Sequence, residues 1–126
     1  MKKIILLLFC MPLLMASSCE NSDDDDQIMC TLEVVSGLSV TVTDSQTNLP
    51  LVENVTVSAT EGTYQEILEL VPGSGNIFTG AHERTGNYTI TVTKEGYQTN
   101  TFGPITVTKN VCHVITQQVQ VVLIPN

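Results

Sequence analysis

The sequence predicts an all-β fold of about seven antiparallel strands stacked as a two-sheet sandwich. Three observations carry that reading. Apolar residues recur at every second position in run after run. Val, Ile and Thr dominate those runs, and such branched side chains suit a pleated surface. Turn chemistry separates the runs every 10 to 15 residues, and no stretch beyond the first eighteen residues shows a helical period.

The first run has Leu38, Val40 and Val42 alternating with Ser39, Thr41 and Thr43. Asp44 to Pro50 is then a polar loop. Val55, Val57 and Ala59 alternate with Thr56, Ser58 and Thr60. Glu61-Gly62 fits a tight reversal into a strand over Tyr64–Leu70, and residues 72–76 (Pro-Gly-Ser-Gly-Asn) form another connection. Thr85-Gly86-Asn87 leads into Tyr88, Ile90 and Val92, which alternate with threonines. Glu95-Gly96 and Gly103-Pro104 punctuate the next stretch of chain. Ile105 and Val107, then Val119, Val121 and Leu123, complete the pattern. Each alternation means one buried face and one wet face. The core is aliphatic, since the chain has no Trp. Tyr88 and Tyr97 are expected to pair across one strand and its turn.

The first residues carry an address. Met-Lys-Lys precedes an apolar run from Ile4 to Met15, and Ala16-Ser17-Ser18-Cys19 comes next. Twelve helical residues cover ~18 Å, well short of the ~30 Å bilayer core. The run therefore reads as a signal peptide over residues 1–18 rather than a membrane span. Two cleavages compete: a general cut after small residues, or a lipoprotein cut before Cys19. Ala16-Ser17-Ser18-Cys19 resembles a lipobox, which implies lipidation at Cys19. Residues 19–29 then form a lipidated, acidic, flexible tether, and residues 30–126 form the sandwich domain. Ser22, Asp23, Asp24, Asp25 and Asp26 resemble the signal that sends lipoproteins to the cell surface in some diderm bacteria. The same aspartates also read as a solvated spacer. The implied location is the outer membrane, exposed at the cell surface or facing the periplasm.

Composition narrows function. The mature chain keeps three bases, Arg84, Lys94 and Lys109, against all 13 acids, a net charge of about −10. Nucleic acid is an unsuitable partner, because there is no basic patch to release counterions. Once the signal is removed and Cys19 carries lipid, Cys30 and Cys112 remain. In an oxidising compartment they can form one intramolecular disulfide. That bridge would close a loop of ~80 residues, adding ~4.5 kcal/mol by loop entropy. It would tie the start of the domain to its last strand.

Candidate chemistry is sparse. Cys30, His82, Cys112 and His113 could ligate zinc, but no Cys-x-x-Cys or His-x-x-x-His spacing is present, and adjacent strand residues face opposite ways. No cofactor is expected. His82-Glu83-Arg84 is the most varied cluster, read as solvent-facing unless His82 contacts a ligand. Tyr64, Tyr97, Gln98 and Asn100 could build a sugar platform of aromatic rings and amides, set against a plain packing and turn role.

Two segments resemble the carboxypeptidase regulatory-like domains. One is Gly37 to Leu51, a strand and then Asp-x-x-Thr-x-x-Pro-Leu. The other is Arg84 to Tyr97, similar to that family's Gly-x-Tyr-x-Leu-x-Val-x-Lys-x-Gly-Tyr hairpin. The resemblance implies a transthyretin-like (prealbumin-like) Greek-key sandwich, a fold that usually serves as a stabilising or ligand-binding module. The expected function is a non-catalytic, lipid-anchored envelope module presenting loops to a protein or glycan. The alternative is a carbohydrate-binding accessory lipoprotein of a glycan uptake or degradation system.

Overall fold

The computed structural model describes residues 29–126. The signal, Cys19 and the acidic residues Ser22 to Asp26 lie outside the described residues. Within them the protein is all-β. The strands are β1 (Ser36–Asp44), β2 (Val55–Glu61), β3 (Tyr64–Ile67), β4 (Glu69–Leu70), β5 (Ile77–His82), β6 (Gly86–Lys94), β7 (Asn100–Val107) and β8 (Gln117–Leu123). Two four-stranded sheets form, ordered β4-β5-β1-β8 and β3-β2-β6-β7.

The alternating residues meet between the sheets. Leu38, Val40, Val42, Val57, Ala59, Tyr88, Ile90, Val92, Val121 and Leu123 are all buried, with Phe78 and Val107 beside them. Their partners Ser39, Thr41, Thr56, Ser58, Thr89 and Thr91 remain on the outer faces. The period-two pattern therefore sorts side chains as the pleat requires.

Two details depart from the sequence expectation. The run Tyr64–Leu70 is two strands, which makes eight among the described residues. β3 pairs with β2, and β4 pairs with β5 in the other sheet. Leu68 lies between them, buried, with its N–H on the Val57 carbonyl at 2.8 Å. The edge chain thus changes sheet and closes one side of the sandwich. The packing opposite is close: a Cβ on Gly80 would stand 2.8 Å from Leu68 Cγ, so a larger residue there must displace the Leu68 side chain.

The second departure is direction. β1 pairs with β5 antiparallel but with β8 parallel, from Leu38↔Gln117 to Asp44↔Leu123. The sheets are therefore not wholly antiparallel. Parallel neighbours need a long crossover instead of a hairpin. Here the rest of the domain is that crossover. Alternation shows which face a residue takes, not which way its neighbour runs.

The disulfide Cys30–Cys112 is present, with the Cα atoms 5.2 Å apart and a sequence separation of 82. Cys112 sits in the turn before β8 rather than on the last strand. Asn110 Oδ1 shapes that turn by accepting the N–H groups of Cys112 (2.8 Å) and His113 (2.9 Å). The bridge joins this turn to the segment leading into β1.

Candidate functional site

Strand registers place the side chains at two ends of the sandwich. Glu61 pairs with Tyr64, and Thr60 with Thr89, so Tyr64 and Tyr88 share one end. Val55 pairs with Lys94, so Tyr97 belongs to the other. The six-residue rise from Tyr88 to Lys94 separates them by ~20 Å. Tyr97, Gln98 and Asn100 come together, and Tyr64 does not join them.

The Tyr97 group is pinned to the exit of β8. The Gln98 N–H donates to the Ile124 carbonyl at 2.8 Å, and Asn100 Nδ2 to the Val122 carbonyl at 3.3 Å. The Tyr97 hydroxyl donates to Asp44 Oδ2. These groups hold one turn against one strand end, through the Tyr97 hydroxyl, the Gln98 backbone and the Asn100 amide nitrogen. Beside them, Pro50 to Glu53 and Lys94 line an open depression of about 320 Å³, and Lys94 Nζ donates to the Glu53 carbonyl.

At the opposite end the aromatic pair is Tyr64 with Tyr88, not Tyr88 with Tyr97. Their rings meet edge to face, with centroids 6.3 Å apart. The Arg84 guanidinium lies 3.6 Å over the Tyr64 ring and donates to Glu61 (3.0 Å) and the Tyr88 hydroxyl (2.8 Å). The Tyr88 hydroxyl returns a bond to the Arg84 carbonyl at 2.9 Å. The Asn87 N–H and the Arg84 guanidinium hold the Glu61 carboxyl below its ordinary range. The Tyr64 hydroxyl donates to Glu66 at 2.7 Å, and that bond, with burial, pushes Tyr64 up to about 12.

His82, Glu83 and Arg84 are adjacent in sequence and go to three different partners. Positive φ at Ala81 (53°) and Glu83 (52°) turns the chain on both sides of His82. His82 Nδ1 bonds Ser36 Oγ at 3.1 Å, and Arg84 joins the tyrosines. Glu83 accepts from the Val35 N–H (3.0 Å), the Val114 N–H (3.2 Å) and His113 Nδ1 (2.6 Å). These bonds, the Val35 amide foremost, hold the Glu83 carboxyl below its ordinary range.

Sequence reasoning did not find one arrangement at this end. Thr31 Oγ1 lies 2.9 Å from His113 Nε2, whose Nδ1 meets Glu83. Hydroxyl, imidazole and carboxylate in line have the connectivity of an activated nucleophile. An acyl-transfer site also needs free donors for an oxyanion. The amides of Cys112 and His113 are both taken by Asn110. The geometry fits a clasp: Glu83 and His113 gather three separate segments beside the disulfide. His113 stands in a turn, so strand alternation does not govern its direction. Thr31, Glu83 and His113 span 82 positions, and no sequence spacing announces them. Among the described residues no three His, Cys, Asp or Glu side chains converge as metal ligands.

A different surface has the chemistry of a ligand face. Ser39 and Thr41 on β1, Ile77 on β5 and Gln118 and Gln120 on β8 line a shallow concavity of about 140 Å³ on the outer face of the first sheet. The registers Ser39↔Gln118, Thr41↔Gln120 and Thr41↔Ile77 make it a regular grid. Its lining is uncharged, with hydroxyls and amides that both donate and accept. Alternation foretells that Ser39 and Thr41 face outward, but not that β8 lies beside β1. Neither a protein-family model nor a curated protein matches this chain.

Proposed function

We propose that this protein is a non-catalytic, lipid-anchored module of the cell envelope that presents its β-sandwich to a partner. The observation that carries this reading is the Cys30–Cys112 disulfide. Disulfides persist outside the reducing cytosol. This one clamps the segment that comes after the signal-like run and Cys19. The resemblance to carboxypeptidase regulatory-like domains, of prealbumin-like Greek-key type, supports a binding role. Surface exposure rests on Ser22 to Asp26.

Intact mass of the native protein tests the anchor: acyl mass on Cys19 is expected, and an unmodified thiol in a cytosolic fraction overturns the reading. An impermeant amine reagent on whole cells should label Lys94 or Lys109. Deleting Asp23 to Asp26 should reduce that labelling, and unchanged labelling removes the export role.

The concavity on the first sheet favours a second reading, a neutral glycan as the partner. Uncharged amides and hydroxyls in a shallow depression match the donor and acceptor pairs of sugar hydroxyls. Binding on a glycan array that is lost in the Gln118→Ala, Gln120→Ala double variant supports it. Silence across neutral polysaccharides leaves a protein partner as the reading.

A further inference from the structure

The end of the domain where the described residues begin carries an apolar surface that no other described residue covers. Met29 is 86% exposed, Leu32 99%, Val34 69%, Val111 75% and Ile115 46%. These residues come from two strips lying side by side. The strips are tied at Cys30–Cys112, at Thr31–His113 (2.9 Å) and at Thr116 to the Ser36 carbonyl (2.7 Å). The inward residues are fastened by this network, so the outward apolar ones are held in place. Isolated exposed apolar residues need no explanation, but a contiguous group marks an interaction surface.

We propose that this patch rests on the lipid leaflet to which Cys19 is attached. The inference builds on the anchored reading above. Nine residues lie between Cys19 and Met29, a reach of at most ~35 Å, so the anchor holds this end of the domain within that distance of the bilayer. The far end, with Tyr97 and Asp44, then points away. Charge chooses the lipid. Glu33 is exposed beside the patch, and Asp23 to Asp26 enter from the anchor, so an anionic surface is repelled. Lys109 is exposed at the rim, and its stem can lie along the interface with the ammonium in water. A zwitterionic surface such as phosphatidylcholine fits this balance. Docking would orient the sandwich and lift the glutamine grid of β8 clear of neighbouring headgroups.

The chain has no tryptophan, so one introduced Trp is a clean reporter. The full acylated protein carrying Leu32→Trp, or separately Val111→Trp, is reconstituted in phosphatidylcholine vesicles with brominated acyl chains. Leu49→Trp, in the turn after β1 at the other end, is the control. Emission at positions 32 and 111 should be quenched about twofold or more relative to position 49. Equal quenching at all three positions, or none at 32 and 111, overturns the docking. A blue shift at position 32 without quenching, together with a doubled mass in solution, means a second copy covers the patch and also overturns it. Intact mass is read on the same samples. Acyl mass without quenching sinks the docking alone, whereas absence of acyl mass sinks the anchor and the docking with it.

Discussion

The Tyr97 hydroxyl donates to the carboxylate of Asp44, a residue 53 positions earlier, and joins the turn after β1 to the turn after β6. Asp44 Oδ1 meanwhile accepts the N–H groups of Gln46 (2.7 Å) and Thr47 (3.0 Å), which winds its own turn. A buried carboxylate needs such partners, and Asp44 is the only charged side chain among the buried described residues.

That relationship predicts a response to acid. The Tyr97 bond, then the two amides, hold the Asp44 carboxyl below its ordinary value of 3.8. The unfolded state therefore binds more protons in that range, and stability falls as pH drops below about 4. Glu61 and Glu83 act in the same direction. In urea titrations at stepped pH, Tyr97→Phe should show a shallower acid loss than the wild type. An unchanged slope would mean that the Tyr97 bond contributes nothing to it.

Alkali should act through Tyr64. Its hydroxyl titrates at about 12 rather than 10.0, chiefly because it donates to Glu66. The unfolded chain loses that proton first, so the contribution holds below about pH 10 and declines as pH rises towards 12. Phenolate absorbance should show one tyrosine titrating at about 12. Glu66→Gln should bring that titration down, because the neutral amide no longer opposes the phenolate.

Opening the disulfide tests the clamp between the turn before β8 and the segment leading into β1. Replacing Cys30 and Cys112 by Ser together should cost ~3–5 kcal/mol of stability, read as a lower urea midpoint. Net stabilities of small domains are only ~5–15 kcal/mol, so the variant should unfold at markedly lower temperature. A midpoint within error of the wild type would show that the closed loop was already ordered in the unfolded chain.

Packing at the same end is tight. A methyl on Gly37 would stand 2.8 Å from the Ala81 carbonyl oxygen and 2.9 Å from Val107 Cγ1. Gly37→Ala should destabilise by about 1–3 kcal/mol, because a backbone atom must move. Ile90→Ala, in the centre of the core, should cost about 2–5 kcal/mol through the cavity it leaves.

Much of the fold is legible in the chain because a strand has one residue per face and then the other. Val40 or Ile90 announces its burial by its neighbours alone, and Glu61-Gly62 announces its reversal, with Gly62 at φ 59°. The expected pairing of Cys30 with Cys112, reached by counting cysteines, is the bond that forms. The strand that changes sheet at Leu68 is hidden, because Tyr64–Leu70 reads as one extended run whichever sheet each half joins.

The candidate sites divide along the same line. Sequence alone determined the address-like first residues, the strand content, the inward and outward faces and the acidity of the chain. Only the tertiary structure decided that Tyr64 and Tyr97 stand at opposite ends, that Thr31, Glu83 and His113 meet, and that Gln118 lies beside Ser39. The physical reason is range. Alternation and turns act over a few residues, whereas strand order and direction depend on how whole sheets bury their apolar faces, and these contacts join positions about 80 residues apart.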